Sequence, residues 1–214
     1  GDAARAYDEA VKGTSAYFAW LNRGKESAVL DLKSTADLNV VKQIIEKADV
    51  LVQNLAPGAT TRLGIGSKTL VEKYPHLIAV DIVGYSQESD YRAMKAYDML
   101  VQAEAGICAV TGTAEEPVKV GVSMVDIATG VYANAMILEA LIQRGISGQG
   151  QHIEVSMFDA MADWMSVPLL YQQYQNTETT RTGLSHAVIY PYTRVACSDG
   201  SIVFAIQTLS LIHI

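Results

Sequence analysis

Residues 49–54 (DVLVQN) and 77–83 (LIAVDIV) are short, nearly unbroken apolar runs set between helical patterns, and such runs have few ways to fold. Each is too short for a buried helix and lacks the alternation of a half-exposed strand, so each reads as a strand of a parallel sheet covered on both faces. Parallel neighbours need a long crossover, usually a helix. Residues 27–32 (SAVLDL) read as a preceding strand, and residues 34–47 supply a crossover helix with Ser34 as its cap and Leu38, Val41, Ile44 and Ile45 on one face. The alternation predicts a doubly wound α/β fold with a mostly parallel sheet, whose ligands bind at the carboxyl ends of the strands.

The rest of the chain extends this pattern. A short helix is expected over 3–12, followed by an apolar patch at Tyr17, Phe18, Trp20 and Leu21. Residues 56–66 read as a turn leading into a short helix, 67–74 as a helix stopped near Pro75, and 84–91 as a polar loop. Helices are expected over 97–105 and 126–144, with a flexible acidic connection at 112–117 between them. Gly145, Gly148 and Gly150 then form a turn before a strand at 151–155. Residues 156–174 read as one long helix whose methionine and aromatic side chains suit a core better than a cofactor site. The polar run 175–181 marks a boundary between a large domain, 1–178, and residues 179–208, a linker and the start of a small α+β domain. That second part holds a hairpin, 190–205, around Asp199 and Gly200.

Composition excludes several classes of function. A formal net charge of −7 and a pI near 5.0, with few and scattered basic residues, argue against a nucleic-acid surface. Cys108 and Cys197 lie far apart and lack metal-ligand spacing, which indicates neither a disulfide framework nor a zinc site and makes a reduced, cytoplasmic setting the expectation. No run of about eighteen apolar residues and no signal peptide is read, so membrane insertion and secretion are unsupported. The chain opens on Gly1 in a polar segment where a buried strand is expected, and residues 209–214 (LSLIHI) match the translation of a sequencing-adapter end. The expectation is a fragment truncated at both ends, with 209–214 non-biological and His213 set aside as a ligand.

One carboxylate stands apart. In residues 119–134 (KVGVSMVDIATGVYAN), Asp126 is the single acidic group in a small and apolar setting. An aspartate ahead of an amphipathic run suits a helix N-cap, because its oxygen accepts free backbone N–H groups at the positive end of the helix dipole. A second reading is a nucleophile on a rigid element. Gly121, Ser123, Ala128, Thr129 and Gly130 leave room beside it for a substrate, and Ile127, Val131 and Ala135 continue an apolar face behind it.

The blocks GDAAR at Gly1, LNRGKESAVLDLK from Leu21, ADVLVQNLAPGATTRLG from Ala48, KAYD from Lys95, VSMVDIATG from Val122 and GQGQHIEVSMFDAM from Gly148 recur together here, with a PY…DG pair at Pro191 and Asp199. In this combination the chain resembles the family III CoA-transferases, which include formyl-CoA transferase, carnitine CoA-transferase and α-methylacyl-CoA racemase. The similarity is spread over most of residues 1–207. It implies a Rossmann-like large domain, acyl-CoA and small carboxylic acids as substrates, no metal, and an interlocked homodimer for the full-length protein. It also implies that Asp126 is the nucleophile, working through mixed-anhydride and aspartyl-CoA thioester intermediates. Backbone N–H groups of the helix it opens are expected to keep its pKa low and the group ionised.

Carried over position by position, Leu30, Asp31, Leu32 and Lys33 at a strand end, Asn54, Leu55 and Ala56 in a loop, Arg62, and Lys95, Ala96, Tyr97 and Asp98 fall where the family lines its coenzyme A site. Taken singly, Lys33 and Arg62 read equally as solvated charges and Asn54 as a turn residue. Arginine and lysine suit the phosphates of coenzyme A. The racemase branch has a His where this chain has Tyr97, and a phenol with a pKa near ~10 is a poor base at neutral pH. The resemblance therefore implies acyl-CoA:carboxylate CoA transfer; an acyl-CoA racemase or epimerase and an inactive CoA-binding fragment are the alternatives. MADWMSVPLLYQQY from Met161 and RTGLSH from Arg181 are similar to the branch acting on C4 and C5 dicarboxylates such as succinate, itaconate, mesaconate or citramalate, and His186 is a candidate substrate contact.

Overall fold

The computed structural model describes residues 2–206; the segment 209–214, with His213, lies outside the described residues. The chain forms two compact units that divide between Lys47 and Ala48.

In the first unit, the helix expected over 3–12 is a single 3-10 turn, Ala3–Ala6, opened by Asp2 accepting the N–H of Ala4. Asp8 then captures the chain. Its carboxylate accepts the N–H groups of Ala16 and Ala10 and the Ser15 hydroxyl, which offers the backbone an alternative to helix. The Ala16 and Ala10 bonds hold the Asp8 carboxyl below its usual range. Helix α1 (Ala16–Leu21) starts at Ser15, whose hydroxyl accepts the Phe18 N–H, and helix α2 (Thr35–Lys47) follows the expected Ser34 cap. Between them the strand expected over 27–32 does not form, and Val29 is 96 % exposed. A strand is defined by its ladder partner, and the described residues of this unit contain none.

The second unit carries the sheet. Strands β1 (Val50–Gln53), β2 (Ile78–Val83) and β3 (His152–Ser156) are parallel in the order β1-β2-β3. Helices α3 (Ala59–Arg62) and α4 (Ser67–Lys73) join the first two strands. Helices α5 (Asp98–Glu104), α6 (Ile107–Val110) and α7 (Met124–Ser147) join the second and third. The period of two sorts side chains between faces. Ile78, Val80, Ile153 and Val155 pack with Ala133 and Ala140 of α7, while Asp81 on the other face accepts a hydrogen bond from Ser67 of α4. Helices thus cover both faces, as the apolar strands require. A second core, built from Val101, Ile107, Val125, Ala128, Ala160 and Met161, joins α5, α6 and α7 to helix α8 (Met157–Trp164).

Helix α7 begins two residues before Asp126 and runs for 24 residues. Its far end is fastened by Arg144, which pairs with Asp49 at 2.9 Å and donates to the His76 carbonyl at 2.8 Å. By length and composition α7 could cross a membrane, although Asp126, Asn134, Glu139 and Arg144 leave it no unbroken run of eighteen apolar residues. Its packing against the sheet through Ala133 and Ala140 identifies it as a core helix. The opposite side leaves Ile127, Val131, Leu138, Ile142 and Ile146 exposed, and their spacing places them on one stripe.

The single helix expected over 156–174 is two, α8 and α9 (Ser166–Gln175), with the break at Met165. Pro168 has no N–H to give the Trp164 carbonyl, so the ladder must restart with the proline in a new first turn. Helix α9 buries none of its residues, so only α8 supplies core. Strands β4 (Tyr192–Cys197) and β5 (Gly200–Ala205) form the expected hairpin, with Cys197 opposite Gly200.

Candidate active site

Gly84 directly follows β2, and the Ala96 methyl packs on it so closely that a Cβ at Gly84 would collide with the Ala96 Cβ. This contact lays the Lys95 to Asp98 segment across the carboxyl end of β2. Gly84→Ala is expected to displace that segment and destabilise the fold by about 1–3 kcal/mol, as read by thermal melts on full-length protein.

Asp98 then reaches the start of α7. Its Oδ1 accepts the Val125 N–H at 2.8 Å and the Asp126 N–H at 3.4 Å, and its Oδ2 accepts from Gln102 Nε2 at 2.7 Å. Gln102 is fully buried, and its Oε1 accepts the Val120 N–H at 2.8 Å. Ser123, the residue at the N-cap position, makes no side-chain cap bond. Asp98 therefore caps α7 from another element. This corrects the cap reading of Asp126, which sits within the first turn and whose own N–H belongs to Asp98.

The Asp126 carboxylate accepts no hydrogen bond from the described residues. Although the residue reaches solvent, partial burial of the carboxyl raises its pKa above the ordinary aspartate value, and the nearby Asp98 carboxylate raises it further. The expectation of a depressed pKa is thus reversed, because the donors that would have lowered it are taken by Asp98. What remains is a carboxylate fixed on a rigid turn, partly stripped of water, with both oxygens open to a substrate. That is the form in which a carboxylate acts as a nucleophile.

The other sequence candidates fall into three groups. Asp98 adjoins Asp126 through the hydrogen bond above, Ala96 packs on Gly84, and Lys95 and Tyr97 of the same segment are exposed. Leu55 and Ala56, just past β1, line a cavity of about 220 Å³ with Gln53, Ser67, Asp81 and His152. Asn54 and Arg62 are exposed on the same loop and helix and do not line it, and Arg62 folds back toward Gly58, which adopts φ 74°. Leu30, Asp31, Leu32 and Lys33 belong to the first unit. There Asp31 Oδ1 accepts the Lys33 N–H at 3.0 Å and the Asp31 N–H donates to Asp37 at 2.8 Å, shaping the turn before α2. The His186 Nδ1 accepts the N–H groups of Val188 and Ile189, both at 3.1 Å, and its ring stacks on Tyr192, so that nitrogen is committed to the local turn.

Two polar residues escaped the sequence reading. Asp81 gathers Gln53 Nε2 at 2.6 Å, the Ser67 hydroxyl and His152 Nε2 at 2.9 Å; its signal was a charge inside the otherwise apolar run LIAVDIV. Gln102 stands one helical turn after Asp98, a spacing that places both on one face of α5.

Comparison with known proteins bears on this arrangement. The sequence profile of CoA-transferase family III matches residues 1–212. The acetyl-CoA:oxalate CoA-transferase of Acetobacter aceti is 37 % identical over 194 residues, covering 90 % of this chain and 50 % of that protein. The human succinyl-CoA:glutarate CoA-transferase is 32 % identical over 205 residues, covering 95 % and 47 %. The chain spans about half the length of these curated relatives. A crystal structure of a CAIB/BAIF family protein from Brucella suis superposes with a TM-score of 0.87 at 31 % identity, over 96 % of this chain and 56 % of that one. With a profile match over almost every residue and the same fold in a solved relative, the chain belongs to CoA-transferase family III.

Proposed function

We propose that the full-length protein is an acyl-CoA:carboxylate CoA-transferase with dicarboxylates among its substrates, and that Asp126 is its nucleophile. The observation that carries this reading is the open, partly desolvated Asp126 carboxylate, held beside the carboxyl end of β2 by Asp98. The Asp126 oxygen attacks the thioester carbonyl and expels CoA thiolate, leaving a mixed anhydride. The thiolate attacks the aspartyl carbonyl, releasing the donor carboxylate and forming an aspartyl-CoA thioester. The acceptor carboxylate then displaces CoA into a second anhydride, and CoA attacks the acceptor acyl carbon, restoring Asp126. Each step exchanges one acyl bond for another, and covalent catalysis divides a hard exchange into these easier ones.

The proposed coenzyme A contacts are Leu30, Asp31, Leu32, Lys33, Asn54, Leu55, Ala56, Arg62, Lys95, Ala96, Tyr97 and Asp98. The oxalate and glutarate transferases among the relatives support the dicarboxylate class. A homodimer is proposed as well, and the exposed apolar stripe on α7 is the kind of surface a second copy would bury. Unpaired Cys108 and Cys197 support a reducing, cytoplasmic setting. The domain reading, 1–178 and 179–208, stands as part of the same proposal. Full-length protein given succinyl-CoA and a panel of C2 to C5 dicarboxylates is expected to form the matching acyl-CoA, separated by chromatography. Exchange of the α-proton with solvent deuterium without any CoA movement would instead identify a racemase.

A further inference from the structure

Gln102 is fully buried on α5, next in sequence to Val101 of the second core. A polar side chain in such a position is costly unless both ends of its amide are paired, and here both are. Its Oε1 accepts the Val120 N–H at 2.8 Å and its Nε2 donates to Asp98 Oδ2 at 2.7 Å. The Val120 N–H can only donate, so the amide is oriented by it and must turn its own N–H₂ end to Asp98. Asp98 is thus held by three donors, this amide and the Val125 and Asp126 N–H groups. Because Asp98 itself is only partly buried, water competes for its second oxygen wherever Gln102 does not hold it.

The cap so held overrides a local motif. Ser123 and Asp126 have the Ser-x-x-acid spacing of a capping box, in which the serine hydroxyl accepts the Asp126 N–H and the Asp126 carboxylate turns back to the Ser123 N–H. Neither bond forms. The Asp126 N–H goes to Asp98, Ser123 makes no side-chain cap bond, and the Ser123 N–H donates to nothing among the described residues. Inside the box, the Asp126 carboxylate would be engaged by its own backbone and weakened as a nucleophile. With Asp98 in the cap, it stays open.

We infer that Gln102 is a positioning residue for CoA transfer: by fixing Asp98 in the cap of α7, it keeps Asp126 out of the capping box and free to attack the thioester. The inference rests on Asp126 being the nucleophile. It is tested by kcat per folded chain and KM, with full-length protein, succinyl-CoA and the preferred dicarboxylate. Gln102→Met keeps the length of the side chain and removes both bonds. Its kcat is expected to fall about tenfold to a hundredfold, with little change in KM for succinyl-CoA. Gln102→Glu mimics the amide only while protonated, its carbonyl accepting the Val120 N–H and its O–H donating to Asp98. Burial and the Asp98 carboxylate, the titratable group that touches this position, favour that proton. The ratio of its kcat to that of the unsubstituted protein is therefore expected to approach one in acid and to fall as pH rises. Full kcat in Gln102→Met, with or without a lowered melting temperature, overturns the proposal, as does a Gln102→Glu ratio that does not move with pH. If Gln102→Met fails to fold, the Gln102→Glu profile decides alone. Hydroxylamine trapping at Asp126 in the unsubstituted protein separates the two readings. Absence of the label overturns the nucleophile assignment, whereas a label together with unaffected Gln102 variants overturns only the role of Gln102.

Discussion

Asp126→Asn in the full-length protein is expected to lower kcat for CoA transfer on the order of 10⁴-fold or more while leaving coenzyme A binding intact. The amide keeps the size of the side chain and removes the nucleophilic oxygen. Hydroxylamine added during turnover should mark Asp126 in the unsubstituted protein, because an aspartyl thioester yields a hydroxamate there, and mass spectrometry should find no such mark in Asp126→Asn. Full activity in Asp126→Ala would sink the mechanism. The same substitution has an opposite effect on stability. The folded pKa of Asp126 lies above its unfolded value of about 3.9, chiefly through burial and secondarily through Asp98. Ionising it therefore disfavours the fold, with the penalty absent below the unfolded value, growing as pH rises to the folded one and constant above. Asp126→Asn is expected to melt higher than the unsubstituted protein at pH 7, with the difference vanishing in acid.

Asp98→Ala should cause the largest structural loss. It uncaps α7 and strands the buried Gln102 amide, which together cost about 2–4 kcal/mol, readable as a lowered denaturant midpoint. Asp98→Asn separates the roles. It keeps an oxygen for the Val125 N–H but turns an N–H₂ group toward Gln102 Nε2, so a smaller loss is expected. It also removes the charge that raises the Asp126 pKa, so the acidic limb of kcat/KM should shift to lower pH. A purely structural role for Asp98 would lower the whole profile without moving that limb.

The sheet strands were legible because β2 is apolar over successive residues, a pattern that a central parallel strand imposes on its own sequence. The break at Met165 was missed, although Pro168 marks it: a continuous apolar pattern hid a residue that cannot donate to the ladder. The strand at 27–32 was misread for a physical reason: its residues have strand propensity, but a strand exists only where a second one meets it. The cap on α7 was hidden differently. Asp98 lies 27 positions before the N–H it accepts, and no local spacing records such a bond. The raised pKa of Asp126 was hidden for the same reason, because both its causes, burial and Asp98, arrive from distant segments. The stripe from Ile127 to Ile146 showed its helical period, yet a period cannot say which of two apolar faces meets the core.

Helix α7 is gripped at both ends, by Asp98 at Val125 and Asp126 and by Asp49 and the His76 carbonyl at Arg144. With both ends pinned, the number of residues between the grips becomes a fixed gauge. Inserting or deleting a single residue inside the helix would turn Asp126 by about 100° and shift it by about 1.5 Å relative to Arg144, so the two grips could no longer engage together. The count between Asp126 and Arg144 cannot change, and related sequences should therefore differ by substitution across this helix and place their gaps outside it.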